Sequence, residues 1–211
     1  MKKIVSIFLF LVSIFLTTGC GNDFSYFQSK VNSIDGYKYY TISQKVSNNK
    51  LILYEKNINV YFNNDMIKVI TNIKEINSYE DDKLYNTSSN EFYVSDNILY
   101  YKEDGVWKTK NSDFDPSISV DIQKNYFKSY SSSKKDGKKV FKGILKDEIL
   151  KDFLGYEIND AKNVTLNIET NSKKVLTFIS LNYVSSNGND VVISFKPNYS
   201  YVLDFNLPVN E

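Results

Sequence analysis

No histidine occurs in the 211 residues of this chain, which removes histidine triads, imidazole proton shuttles and histidine-ligated zinc from consideration. The single cysteine, Cys20, leaves no second thiol for a disulfide or a cysteine metal cluster. Carboxylates remain. Glu80-Asp81-Asp82, Asp113 with Asp115, and Asp147-Glu148 are the acidic groups with short spacing, and oxygen ligands of this kind suit a hard cation only when a spaced loop presents them together. None has the central glycine of such a loop, and solvated turns and helix caps account for these positions better. Glycoside hydrolysis needs two acids at a fixed separation, and nothing in the spacing singles out a pair. Ser131 to Lys135 reads SSSKK, the residue types of a serine nucleophile with a lysine base. That chemistry needs a desolvated lysine, whereas this run is polar throughout and is expected to be an exposed loop. With 8 glycines in the chain and no phosphate-cradling motif, nucleotide chemistry finds no loop to use.

Cys20 has a context of its own. Lys2 and Lys3 precede an apolar run from Ile4 to Leu16, which ends in Thr17-Thr18-Gly19-Cys20. This is the order of an export signal: charged start, apolar middle, small-residue cleavage site. The run is too short to cross a hydrocarbon core of about 30 Å with any margin. The segment resembles the lipobox of bacterial lipoproteins, although that pattern usually has leucine three residues before the cysteine and here the place is Thr17, with Leu16 beside it. The resemblance implies diacylglyceryl transfer to Cys20, cleavage after Gly19, and a chain anchored by lipid to the extracytoplasmic face of the cell membrane. Residues 1–19 are thus expected to be a signal peptide, 20–23 the lipidated terminus with a short tether, and 24–211 a single domain. The covalent diacylglycerol and acyl lipid are the only non-protein group expected, with no cofactor and no metal.

The 26 basic residues are all lysine and face 25 acidic ones; loss of Lys2 and Lys3 with the leader turns the balance slightly negative. A nucleic-acid binder needs a concentrated positive field, and none is indicated. Roughly 190 residues remain after cleavage, enough for one hydrophobic core. The bias toward Lys, Asn, Ile and Tyr also fits translation from an AT-rich genome.

Aromatics are the other unusual feature, with 17 Tyr, 14 Phe and 1 Trp. Tyr39, Tyr54, Tyr61, Tyr93, Tyr101 and Trp107 fall on expected strands, where one face could line a groove for an apolar ligand. Filling a core is the competing role, since aromatics favour strands for packing reasons alone.

The elements that must position these residues follow from periodicity. Phe24, Phe27, Val31 and Ile34 repeat at helical spacing behind Asp23, which predicts a helix over 24–34. A period of two then predicts strands over 37–46, 51–62, 66–76, 91–95, 98–103 and 106–109, with Asp104-Gly105 as the strongest hairpin signal. Asp115-Pro116 opens an expected helix to Phe127, a serine- and lysine-rich break over Ser129 to Lys139 follows with a second Asp-Gly turn at Asp136-Gly137, and residues 140–145 read as a strand before a short helix from Asp147 to Leu154, closed by Gly155. Strands over 163–169, 173–184, 190–196 and 199–207 complete the chain, the last with the cleanest alternation of all.

This order predicts an α+β fold: one large curved antiparallel sheet, an open half-barrel, with a few short helices packed on its concave face. Helix, meander, helical insert and second meander together are similar to the LolA and LppX group of envelope lipoproteins and carriers, and YYKEDGVWKT is similar to a segment recurring in Gram-positive lipoproteins of this general fold. The resemblance implies binding of a lipid or other hydrophobic ligand in the half-barrel, without enzymatic activity. A surface-tethered interaction or sensor-accessory module is the alternative, with an envelope protein as partner. A carboxylate-dependent exported hydrolase ranks last.

Overall fold

The computed structural model describes residues 20–32, 34–76, 85–118, 120–149, 161–200 and 203–208. The expected signal peptide and the Glu80-Asp81-Asp82 cluster lie outside these residues. One α-helix, α1 (Cys20–Asn32), precedes eleven strands: β1 (Tyr39–Asn48), β2 (Leu51–Asn63), β3 (Met66–Ile76), β4 (Tyr85–Ser95), β5 (Ile98–Glu103), β6 (Val106–Asn111), β7 (Phe127–Lys135), β8 (Lys138–Leu145), β9 (Lys162–Thr170), β10 (Leu176–Val184) and β11 (Asp190–Asn198). All lie in one antiparallel sheet in the order β6-β5-β4-β3-β2-β1-β11-β10-β9-β8-β7. The sheet is curved and stays open, a half-barrel as expected, with β6 and β7 as its edges. Two meanders of sequential hairpins are joined at one seam, where β1 pairs with β11 from Tyr39↔Asn198 to Ser47↔Asp190.

Hairpin chemistry is local. Asp104 and Gly105 take φ of 52° and 83°, and Asp136 and Gly137 take 52° and 77°, the positive values that two-residue turns between twisted strands demand. Glu103 therefore faces Val106, and Lys135 faces Lys138.

α1 lies across the concave face of the second meander. Phe24, Phe27 and Val31, spaced for one helical stripe, are all buried. They pack with Phe127, Phe141, Leu145, Leu166, Ile168 and Leu181 in one core. Phe24 meets Phe127, Tyr130 and Phe141 at ring-centroid distances of 5.5–5.9 Å. Gly143 makes room for this cluster, because a Cβ there would lie 2.4 Å from the Phe127 ring. Gly143→Ala is expected to destabilise the domain by about 1–3 kcal/mol through overpacking, read as a lower midpoint in urea unfolding.

Four expectations are corrected. The helix expected over 116–127 does not form. Ile118, Val120 and Ile122 alternate with Ser117, Asp121 and Gln123, so the same residues that fit helical spacing also fit a period of two. The chain crosses the sheet as an irregular strap, residues 112–118 and 120–123, before a single 3-10 turn at Lys124–Tyr126. The SSSKK run is no loop: it belongs to edge strand β7, with Ser132 opposite Phe141. Residues 199–207 are not a strand among the described positions. Asn198 Oδ1 instead accepts from the Ser200 amide at 3.0 Å, and the chain turns toward the outer face. Finally, α1 is the single α-helix among the described residues; of the short helix expected from Asp147 to Leu154, Asp147–Ile149 forms a 3-10 turn and the rest lies outside the described residues. α1 also starts at Cys20, one turn before the Asp23 cap that the sequence suggested.

Candidate functional site

Register fixes which strand residues share a face, since cross-strand partners point the same way. Tyr40, Val60, Val69, Phe92 and Tyr101 form one row across β1 to β5, and Tyr39, Tyr61, Lys68, Tyr93 and Tyr100 form the row behind it. The first row faces α1 and the strap, and the second faces outward.

The six aromatics singled out from sequence are divided by this pleat. Tyr39, Tyr61, Tyr93 and Trp107 lie on the outer face. There Tyr39 stacks on Tyr61 at 5.3 Å. Tyr93 meets Trp107 at 5.5 Å and Phe205 at 5.9 Å, with Lys68 Nζ 5.0 Å from its ring centroid. The C-terminal segment thus covers part of the outer face, fixed by Asn63 Nδ2 donating to the Phe205 carbonyl at 3.2 Å. Tyr54 and Tyr101 lie on the inner face, opposite Val46 and Phe92 respectively. No single groove holds all six.

Sequence reasoning picked Tyr54 and Tyr101 but passed over the other residues of the inner face. Tyr37, Ile42, Ile58, Phe62, Ile67 and Phe92 are half-buried apolar residues at the first meander, packed against the buried core as are Ile118 and Val120 of the strap. The signal was present in the alternation of Tyr40 and Ile42 with Tyr39, Thr41 and Ser43, whose polar parity marks the outer side.

The two halves of the concave face are covered differently. Under α1, Phe27, Phe141 and Ile168 are each 0% exposed, and the space is filled by the protein's own side chains. Over β1 to β4 the cover is the strap, which pairs with no strand. Tyr40 Oη donates to the Pro116 carbonyl at 2.8 Å, Gln28 Nε2 donates to the Ile122 carbonyl at 2.7 Å, and the Phe114 ring sits edge-on to Phe92 at 5.5 Å. Ile122 is fully buried, while Phe114 remains 37% exposed. The strap is therefore held at both ends, by the Ser112 amide donating to the Asn97 carbonyl at 2.8 Å and by Ile122 in the core, and is most exposed at Phe114.

Burial holds the Tyr40 hydroxyl well above its ordinary value, with the neighbouring Tyr37 and Asp115 adding to the shift. Tyr37 and Tyr199 are raised too, chiefly by burial. A raised folded-state pKa means stability that is fully present below the ordinary tyrosine value of 10.0 and lost as pH rises through the folded one. Stability is therefore expected to fall in strongly alkaline solution, and Tyr40→Phe to flatten that fall while speeding amide exchange in the strap.

The acidic candidates are engaged locally. Asp115 accepts from the Ser117 amide at 2.8 Å and from its hydroxyl at 2.9 Å, and these bonds lower its pKa. Asp147 pairs with Lys128 at 2.8 Å on the surface. Among the described residues no three metal-binding side chains converge, and no helix is long and apolar enough to cross a membrane. Of the open grooves, one of about 480 Å³ is lined mostly by polar residues, among them Asn163, Thr165, Asn167 and Asn182.

No family model matches the chain, and no curated protein matches it. Among solved structures, the crystal structure of LprF from Mycobacterium bovis is similar over 88% of this chain and 95% of that one, with a TM-score of 0.44 at 12% identity.

Proposed function

We propose that this protein is a lipoprotein of the extracytoplasmic face of the cell membrane, anchored through diacylglycerol and acyl chains on Cys20, which takes up a lipid or similar hydrophobic ligand between the strap and the first meander. The observation that carries this reading is the unequal cover of the concave face: a filled core under α1, and over the first meander a strap outside the sheet, where Ile42, Ile58, Phe62, Ile67 and Phe92 stay half-buried around the buried Tyr40, Val60 and Val69. Lifting the strap exposes Ile42, Ile58, Phe62, Ile67 and Phe92, and an acyl chain laid there gains about 25 cal/mol for each Å² of apolar surface removed from water. Tyr54 and Tyr101 lie on the same face as this row and are proposed to contact the ligand; Tyr39, Tyr61, Tyr93 and Trp107 lie outside it. No step of the proposal is catalytic, and neither a cofactor nor nucleic acid takes part.

Native mass spectrometry of the protein extracted from its own membrane tests the proposal. A second, non-covalent lipid mass is expected beyond the acylated polypeptide, and a photoactivatable fatty acid is expected to crosslink to the strap and to β2 or β3. A bare acylated polypeptide with no crosslink to those elements overturns it. The filled core under α1 favours a second reading, in which the domain is an interaction module for an envelope protein. Recovery of a crosslinked partner without retained lipid selects that reading.

A further inference from the structure

We propose that the basic end of the half-barrel, formed by the β7–β8 hairpin and the β9–β10 turn, docks on the anionic surface of the membrane that holds the protein. The proposal rests on lipidation of Cys20 and adds an orientation to it.

The hairpin tip stacks like charges. Lys134 lies opposite Lys139 and Lys135 opposite Lys138 in consecutive rungs, an arrangement that destabilises a strand pair in water. The neighbouring turn adds Lys173 and Lys174, both exposed. The two loops touch, since a Cβ on Gly137 would lie 3.0 Å from the Ser172 Cβ. Against these six lysines stand Asp136 within the hairpin turn, Glu169 opposite Val140 on β9, Asp35, which shares a groove with Lys174 and Lys30, and Asp23. Asp23 is already committed, with Ser132 Oγ at 2.5 Å and Lys139 Nζ at 3.1 Å. Lys139 is further held over the Tyr26 ring at 4.3 Å. Lys134 and Lys138 are exposed, and a neighbouring surface of negative charge would relieve their repulsion.

The place of the anchor selects that surface. Asp23 is three residues from Cys20 within one helix, about 4.5 Å along its axis. The Asp23 bonds to Ser132 and Lys139 therefore bring the anchor out at the β7 edge, beside the hairpin. A lipid there places the lysine cluster beside the phosphate layer, whose attraction for them fades over a Debye length of about 8 Å at physiological salt. Basic residues beside an acyl anchor strengthen attachment to anionic lipids.

The acylated full chain carrying Ser133→Cys, an exposed position on β7, accepts an environment-sensitive dye at its only free thiol. It is reconstituted into vesicles of phosphatidylcholine alone or mixed with phosphatidylglycerol, each containing a bilayer-bound quencher, and flotation measures anchoring separately. Quenching is expected in the anionic vesicles only, and is expected to fade in high salt. The same dye at Asn111→Cys on the far edge β6 is expected to stay unquenched. Lys134→Glu, Lys135→Glu and Lys138→Glu combined are expected to lower the docked-to-undocked ratio roughly a hundredfold, while the protein still floats. A chain that floats but shows equal quenching in both vesicle types, or is indifferent to the three substitutions, overturns the docking and leaves the anchor standing. Failure to float, with no acyl mass on Cys20, overturns the anchor itself and the docking with it.

Discussion

Cys20→Ser protein is expected to leave the membrane fraction and to incorporate no labelled palmitate. Each buried methylene contributes about 0.8 kcal/mol, so two acyl chains hold a domain stably where one holds it only marginally. No helix among the described residues replaces that anchor. The lysine-rich hairpin alone offers only electrostatic attraction, which high salt removes. Fractionation in high salt therefore isolates the lipid contribution. A variant that sediments with membranes as fully as the parent under those conditions would place the anchor elsewhere in the chain and sink the lipoprotein assignment.

Phe141→Ala is expected to cost about 3–5 kcal/mol, the range for truncating a buried aromatic to alanine. Phe141 is 0% exposed, and its ring meets Phe24, Phe27, Phe127 and Tyr130 at 5.3–5.9 Å. Two of those partners belong to α1 and two to β7, so the cavity loosens both the helix and an edge strand. Set against a total stability of roughly 5–15 kcal/mol, the loss lowers the midpoint of thermal unfolding by about 10 °C for a domain of this size. Phe62→Ala, in the half-buried row beneath the strap, is expected to cost clearly less because its surroundings are already partly open. Equal losses at the two positions would contradict the unequal cover of the concave face.

Much of the sheet was legible in the residues. Asp104-Gly105 specifies its hairpin because few side chains accept positive φ, whereas at Asp136-Gly137 only the turn was legible, since the polar run before it hid strand β7; the α1 stripe of Phe24, Phe27 and Val31 needed a partner it could only find on a sheet. The strap was misread because residues four apart share a side in an alternating chain as well as on a helix, so Ile118 and Ile122 satisfied both patterns. The polar start of β4, Tyr85 to Asn90, carries no apolar alternation, and its pairing with β3 comes from backbone hydrogen bonding that composition does not announce. The aromatic candidates failed to converge for a related reason. Tyr39 and Tyr40, or Tyr100 and Tyr101, are equally aromatic, and only the register across five strands shows which of each pair looks inward.

The seam between β1 and β11 has a consequence for how the chain would fold under the proposed export. Its partners are separated by about 150 residues along the sequence, and contacts of such span form late because loop closure must precede them. A polypeptide exported amino-terminus first, as proposed, would release α1 and the first meander long before β11 arrives. In that interval the β1 edge has no neighbour, and Phe24, Phe27 and Val31 wait uncovered for β8 to β10. An extracytoplasmic chaperone that shields a bare strand edge and one greasy helix until synthesis ends would be the natural requirement for a good yield of this protein.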